Sequence, residues 1–93
     1  MIKTFQCRDT EREFNFELVR KWDPGLRKVA LRKLKWLDAA VGLNDLRVPP
    51  ANRLEKLKGD REGQHSIRVN DQYRMCFVWR NGHAYEVELV DYH

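Results

Sequence analysis

Asn81-Gly82 stands between two strand-like runs, Tyr73 to Arg80 and His83 to Val90. A two-residue loop joining antiparallel strands needs positive φ at its centre. Asn-Gly meets that demand at little cost, so this dipeptide specifies a β-hairpin. A hairpin alone is marginal in water. The rest of the chain must therefore extend the sheet and cover one of its faces.

Gln64 to Val69 supplies another strand, separated from the hairpin by a loop at Asn70-Asp71 and preceded by a turn from Gly59 to Gly63. Ile2 to Cys7 reads as a further short strand. Between them the period changes to helical. Asp9 or Thr10 can cap a segment from Glu11 to Trp22, in which Phe14, Leu18 and Trp22 recur every four residues. Asp23-Pro24 starts a second helix, with Asp as N-cap and Pro in the first turn. Leu26, Ala30, Leu34, Leu37 and Val41 form its apolar stripe, and Gly42 ends it. Asn44 to Asn52 carries Pro49-Pro50 and is a connection; Leu54 and Leu57 anchor the segment after it. The expected fold is α+β in the order β-α-α-β-β-β: a twisted, mainly antiparallel sheet with a two-helix hairpin on one face.

Ninety-three residues suffice for a single domain, residues 1–93, with one modest core. With 42% hydrophobic and 34% charged residues, the chain is neither disordered nor membrane-spanning. Its first residues read as a strand rather than a signal peptide, which implies a cytoplasmic protein without membrane contact. Cys7 and Cys76 lie in strand-like contexts, with no Cys-x-x-Cys and no zinc spacing. They are expected as buried free thiols.

The net charge is +4, and its distribution is uneven. Arg20, Lys21, Arg27, Lys28, Arg32, Lys33 and Lys35 are accompanied by Asp23 as the sole acid between residues 20 and 35. A concentration of this kind favours a polyanionic partner. On the second helix, Arg27, Lys28, Arg32, Lys33 and Lys35 read either as an exposed face opposite the apolar stripe or as a salt-sensitive contact with the backbone of ribosomal RNA, with Lys28, Arg32 and Lys35 as its RNA-binding residues. Trp22, Trp36 and Trp79 read as core or interface.

A further set of residues is more specific. Leu57-Lys58-Gly59-Asp60-Arg61-Glu62-Gly63 is followed by Ser66-Ile67, by Tyr73-Arg74 and by Asp91-Tyr92-His93; Pro49-Pro50-Ala51-Asn52-Arg53-Leu54 precedes them. These segments resemble the HigB branch of the RelE/ParE superfamily of bacterial type II toxins. The likeness extends over essentially the whole chain, with its specificity in the C-terminal half. It implies a RelE-like fold and a toxin that enters the ribosomal A site and cuts messenger RNA. It also implies a HigA-like antitoxin with a helix-turn-helix domain, and contact with operator DNA only through the toxin–antitoxin complex.

Cutting RNA through its own 2′-OH needs a proton acceptor, a donor for the 5′ leaving oxygen and cations for the phosphorane. The sequence has no metal-ligand constellation and calls for no cofactor, so side chains are expected to supply these parts. By the resemblance, Lys58 and Arg74 are the cations, with Arg53, Arg61 and Arg68 as further RNA contacts. His93 is the proton shuttle. Asp91 is a base or orients His93, and Tyr92 stacks on a base or donates to phosphate. The chain departs from some members at Glu55, where they carry a histidine. His65 reads as a structural residue on a strand face. Two other readings stay open: a ParE-like inhibitor of DNA gyrase, and a non-catalytic co-repressor.

Overall fold

The computed structural model describes residues 1–91. Two helices, α1 (Arg8–Phe14) and α2 (Pro24–Ala39), lead into four strands, β1 (Glu55–Lys56), β2 (His65–Arg68), β3 (Tyr73–Arg80) and β4 (His83–Asp91). The strands form one antiparallel sheet in the order β1-β2-β3-β4. Short 3₁₀ turns at Leu43–Arg47, Pro50–Asn52 and Gly59–Arg61 fill the connections.

The hairpin forms as its turn residues dictate. Asn81 and Gly82 have φ of 53° and 78°, and Arg80 pairs with His83 across them. Further along, Cys76 pairs with Glu88 but Val78 pairs with Tyr85. Glu86 and Val87 thus stand opposite Phe77 alone, and Glu86 takes a φ of 53°. This bulge turns β4 toward the N-terminal segment. Glu86 N donates to Thr4 Oγ1 at 2.8 Å, and Val87 N to Thr4 O at 3.1 Å.

The strand expected at Ile2 to Cys7 does not form: the bulge leaves only isolated contacts to residues 1–6, and Cys7 caps α1 instead. The segment runs alongside β4 in parallel through two isolated bridges, Ile2 with Ala84 and Phe5 with Val87. Ile2 N also donates to Asp38 Oδ1 of α2 at 2.8 Å, which ties this edge to the helical layer.

The first helix differs most from expectation. It covers Arg8–Phe14 instead of Glu11 to Trp22, with Cys7 as N-cap, so Asp9 and Thr10 lie inside its first turn. Thr10 Oγ1 is buried and accepts Leu89 N at 3.0 Å. Phe16 is left-handed, with φ of 66°. A helix continued in the Phe14–Leu18–Trp22 register would bury Leu18. The fold instead buries Val19 and Trp22 from an irregular segment and leaves Leu18 exposed, so the chain has to leave the helix at Asn15.

α2 begins as its sequence requires: Pro24 occupies the first turn and Asp23 Oδ1 accepts Leu26 N at 2.9 Å. It stops at Ala39. Val41 is 82% exposed and outside the apolar stripe. The amides of Val41 and Gly42 are taken by Asp45 Oδ2 at 2.9 and 3.1 Å, so no left-handed glycine is needed at this end.

The core lies between α2 and one face of the sheet. Leu26, Ala30, Leu34 and Leu37 from the helix meet Ile67, Met75, Phe77, Val87 and Leu89 from the strands, and Leu46 closes one end. Cys76 is buried and Cys7 half-buried, both as free thiols. Phe77, fully buried and opposite the bulge, is the largest of these side chains. Phe77→Ala should lower the unfolding free energy by about 3–5 kcal/mol, read from denaturant midpoints at unchanged slope.

Candidate nucleic-acid interface

Strand alternation sorts the functional residues. Ile67, Met75 and Leu89 face α2, so their neighbours Ser66, Arg68, Arg74, Cys76, Glu88 and Val90 face the other way. Glu55 pairs with Ser66 and shares that open face. Arg68, Arg74 and Val90 form one row across it, and Glu55, Ser66, Cys76 and Glu88 form the next.

Arg74 is the most constrained cation there. Its Nε donates to Ser66 Oγ at 2.7 Å and its Nη2 to Arg53 O at 2.6 Å. Its side chain is 11% exposed, and Glu55 Oε1 stands 3.9 Å from Nη2. Arg53 presents its carbonyl from a left-handed conformation, φ 45° and ψ 58°. Arg68 is paired with the exposed carboxylate of Asp71. Arg53, Arg68 and Arg74, with Glu55, Asn70 and Asp71, line an open cleft of about 270 Å³. Three guanidinium groups against two carboxylates leave it positive. Holding Nε and Nη2 fixes the orientation of the guanidinium, so that the donors on Nη1 are preorganised to meet a phosphate oxygen.

The other residues expected at the site are distributed around this cleft. Lys58 is exposed at the start of the Gly59–Arg61 turn and does not line the cleft. Arg61 lies on the open face, with Nη1 3.1 Å from Gln64 Oε1 and 3.4 Å from Glu88 Oε1. Asp91 closes β4 opposite Tyr73, next to the Arg74–Val90 pair, and its Oδ2 accepts Gln72 Nε2 at 3.1 Å. Tyr92 and His93 lie outside the described residues. Among the described residues no group of three or more His, Cys, Asp or Glu side chains could hold a metal ion, and no helix is long and apolar enough to cross a membrane.

Lys28, Arg32 and Lys35 belong to a separate surface. With Leu31 and Trp36 they line a shallow groove of about 300 Å³ on the outside of α2, which covers the opposite face of the sheet. Lys35 Nζ lies 4.8 Å from the Phe16 ring and Arg32 Cζ 5.7 Å from the Trp36 ring, so cations and aromatics alternate there. Trp36 is exposed and Trp22 is core, while Trp79 packs at the core's margin.

Lys33 departs from its neighbours on the basic helix. It is buried, and its Nζ donates to the fully buried Asn52 Oδ1. Burial, reinforced by Arg32 and Arg68, holds its pKa below the usual lysine range. The spacing could have revealed this, since Lys33 follows Ala30 by three residues and Leu26 by seven. The anchoring of Arg74 by Ser66 had no comparable signal beyond the Ser66-Ile67 motif.

His65 is structural, as expected. It pairs with Phe77 and stacks on its ring at 6.2 Å, and its Nδ1 is buried without a hydrogen-bond partner among the described residues.

The architecture is shared with solved structures. The YoeB–YefM complex from Staphylococcus aureus contains a chain that superposes with a TM-score of 0.63 at 18% identity, covering 100% of this chain and 98% of that one. The YoeB dimer from the same organism gives 0.59 at 21% identity, over 99% and 97%. These likenesses establish the fold. The family profile described as "RelE-like toxin of type II toxin-antitoxin system HigB" matches residues 3–93, and the chain belongs to that HigB-like toxin family. Toxin HigB-1 of Vibrio cholerae is 48% identical over 64 residues, 69% of this chain and 67% of that protein. Endoribonuclease HigB of Proteus vulgaris is 39% identical over 61 residues, 66% of this chain and 65% of that protein. The matched stretches thus span about two thirds of these relatives.

The surroundings of His65 give the fold a pH dependence. Burial disfavours the imidazolium, and Lys56 and Arg47 add to this, so its pKa is lowered. As pH falls, the unfolded chain takes the proton first. The stabilisation is complete above the ordinary value of ~6.5 and is lost as pH drops through it toward the folded pKa. Thermal midpoints recorded from about pH 7.5 to about pH 5 should therefore fall less steeply for His65→Phe than for the parent chain. Parallel profiles would show that His65 is as well solvated in the folded chain as in the unfolded one.

Proposed function

We propose that this HigB-like chain is a ribosome-dependent endoribonuclease that cuts messenger RNA in the A site by metal-independent attack of the 2′-OH. The observation that carries this reading is the arginine cleft. Arg74 is fixed by Ser66 and by the carbonyl of Arg53, with Arg53 and Arg68 beside it. Such a site stabilises the charge of a phosphorane without reorganising. Arg74 and Lys58 act as the cations, Lys58 reaching the message from the adjoining turn. Asp91, Tyr92 and His93 supply proton transfer and base contact at the end of β4. Arg53, Arg61 and Arg68 hold the RNA backbone on the open face, and Lys28, Arg32 and Lys35 contact ribosomal RNA from α2.

Two further features support the cellular setting. The fold is shared with a chain of the YoeB–YefM toxin–antitoxin complex, and the family to which this chain belongs is that of a type II toxin–antitoxin system. A HigA-like antitoxin with a helix-turn-helix domain neutralises it in the cytoplasm, and the pair meets operator DNA through the antitoxin.

The contact of Glu55 with Arg74 favours one alternative, a non-catalytic co-repressor, because a carboxylate beside the key guanidinium competes with phosphate. The two readings part in one experiment: inducing the chain without antitoxin and mapping the 5′ ends of messages. Cuts in translated frames that vanish when ribosomes are blocked, and that Arg74→Ala reduces by about 10²-fold or more, are expected. Arrest with uncut messages would point to gyrase or another target, and no arrest to the co-repressor. On α2, replacing Lys28 and Arg32 by Gln should flatten the logarithmic salt dependence of ribosome binding by about 1–2 units while Arg74-dependent chemistry persists.

A further inference from the structure

We infer that Lys33 and Asn52 form an internal clamp that positions Arg74 through the Arg53 carbonyl, a role that rests on the nuclease reading of the cleft. Lys33 lies on the apolar stripe of α2 and is 5% exposed. Its ammonium meets the oxygen of Asn52 and lies 4.8 Å from the Trp36 ring. Asn52 is fully buried, and both ends of its amide are engaged. Nδ2 donates to Leu46 O at 3.3 Å, and the backbone amide donates to Pro49 O at 3.0 Å. One side chain thus fastens the Leu43–Arg47 and Pro50–Asn52 turns to each other and to α2.

Arg53 comes next in the chain. Its N donates to Pro50 O at 3.0 Å, and its left-handed backbone turns its carbonyl onto Arg74 Nη2. Arg74 therefore has two points of support. Ser66 holds Nε from within the sheet, whereas Nη2 is held by this loop carbonyl and more distantly by Ser66 O at 3.4 Å. The loop carbonyl can act only if the loop has one position. Apolar packing at residues 33 and 52 would fill the same space but leave the rotation of the turn free. A buried ammonium on a buried amide fixes that rotation, because any shift leaves both groups unpaired in a dry interior. Lys33 and Asn52 touch no RNA. They are positioning residues, and Arg74 is the group they act through.

The test is Lys33→Met in the full chain, with three readouts: the ¹⁵N-resolved side-chain N–H signals of Arg74, affinity for a short single-stranded RNA, and message cleavage on programmed ribosomes. The Arg74 signals should move and exchange faster with solvent. Cleavage should fall on the order of 10²-fold through kcat, with RNA affinity within about threefold of the parent. A folded variant with unmoved Arg74 signals would overturn the proposal. If the parent chain cuts no message but its Arg74 signals respond, the clamp stands and the nuclease reading falls. If Lys33→Met does not fold, Asn52→Asp, which keeps an oxygen for Lys33 and loses the donor to Leu46, carries the same test. Failure of both to fold makes the pair a structural element and ends the proposal.

Discussion

The dry layer between α2 and the sheet fixes the rotation of β2, β3 and β4. Side chains alternate along β2, β3 and β4, so Ile67, Met75, Phe77 and Leu89 cannot face the helix unless Ser66, Arg68 and Arg74 face away. A one-residue slip in β3 would turn Arg74 into the apolar layer, where an unpaired guanidinium costs more than the layer can offset. The arginine cleft is thus a by-product of apolar burial on the opposite side. The same packing that stabilises the domain sets the address of its cations, and the side-chain hydrogen bonds then refine it.

How much of the fold was legible in the sequence depends on how local each determinant is. Asn81-Gly82 fixed the hairpin because positive φ at two adjacent residues is a property of those residues alone. Asp23-Pro24 set the start of α2 for the same reason. The end of α1 was not legible, because it depends on whether the core takes Leu18 or Val19, a choice made by strands far along the chain. β1 comprises Glu55 and Lys56 alone, too short for any periodicity, and exists only because β2 lies beside it. In the cleft, the motif residues singled out Arg53, Arg68 and Arg74, and folding gathers them. The same reading grouped Lys33 with Lys28, Arg32 and Lys35 by charge, although its spacing puts it on the buried stripe.

Charge is apportioned differently on the two sides of the molecule. On α2, Arg32 and Lys35 rest on aromatic faces, Arg27 pairs with Glu13, and no carboxylate pairs with Lys28, Arg32 or Lys35 among the described residues. On the open sheet face each arginine except Arg53 has a carboxylate within reach: Glu55 for Arg74, Asp71 for Arg68, Glu88 for Arg61. Such exposed pairs contribute little to stability. They hold the guanidinium groups apart and oriented on the open face.

The bulge at Glu86 has a consequence for how the chain opens and closes. β3 and β4 are joined by a two-residue turn and can zip from it with small loop entropy. The parallel edge made by residues 1–6 must wait for β4 to be in place, since its partners lie some eighty residues away. That edge therefore forms late and is released early, as a local opening that leaves the hairpin core intact. The amides of Lys3 and Gln6 report on this motion, whereas those of Met75 and Phe77 report on global unfolding.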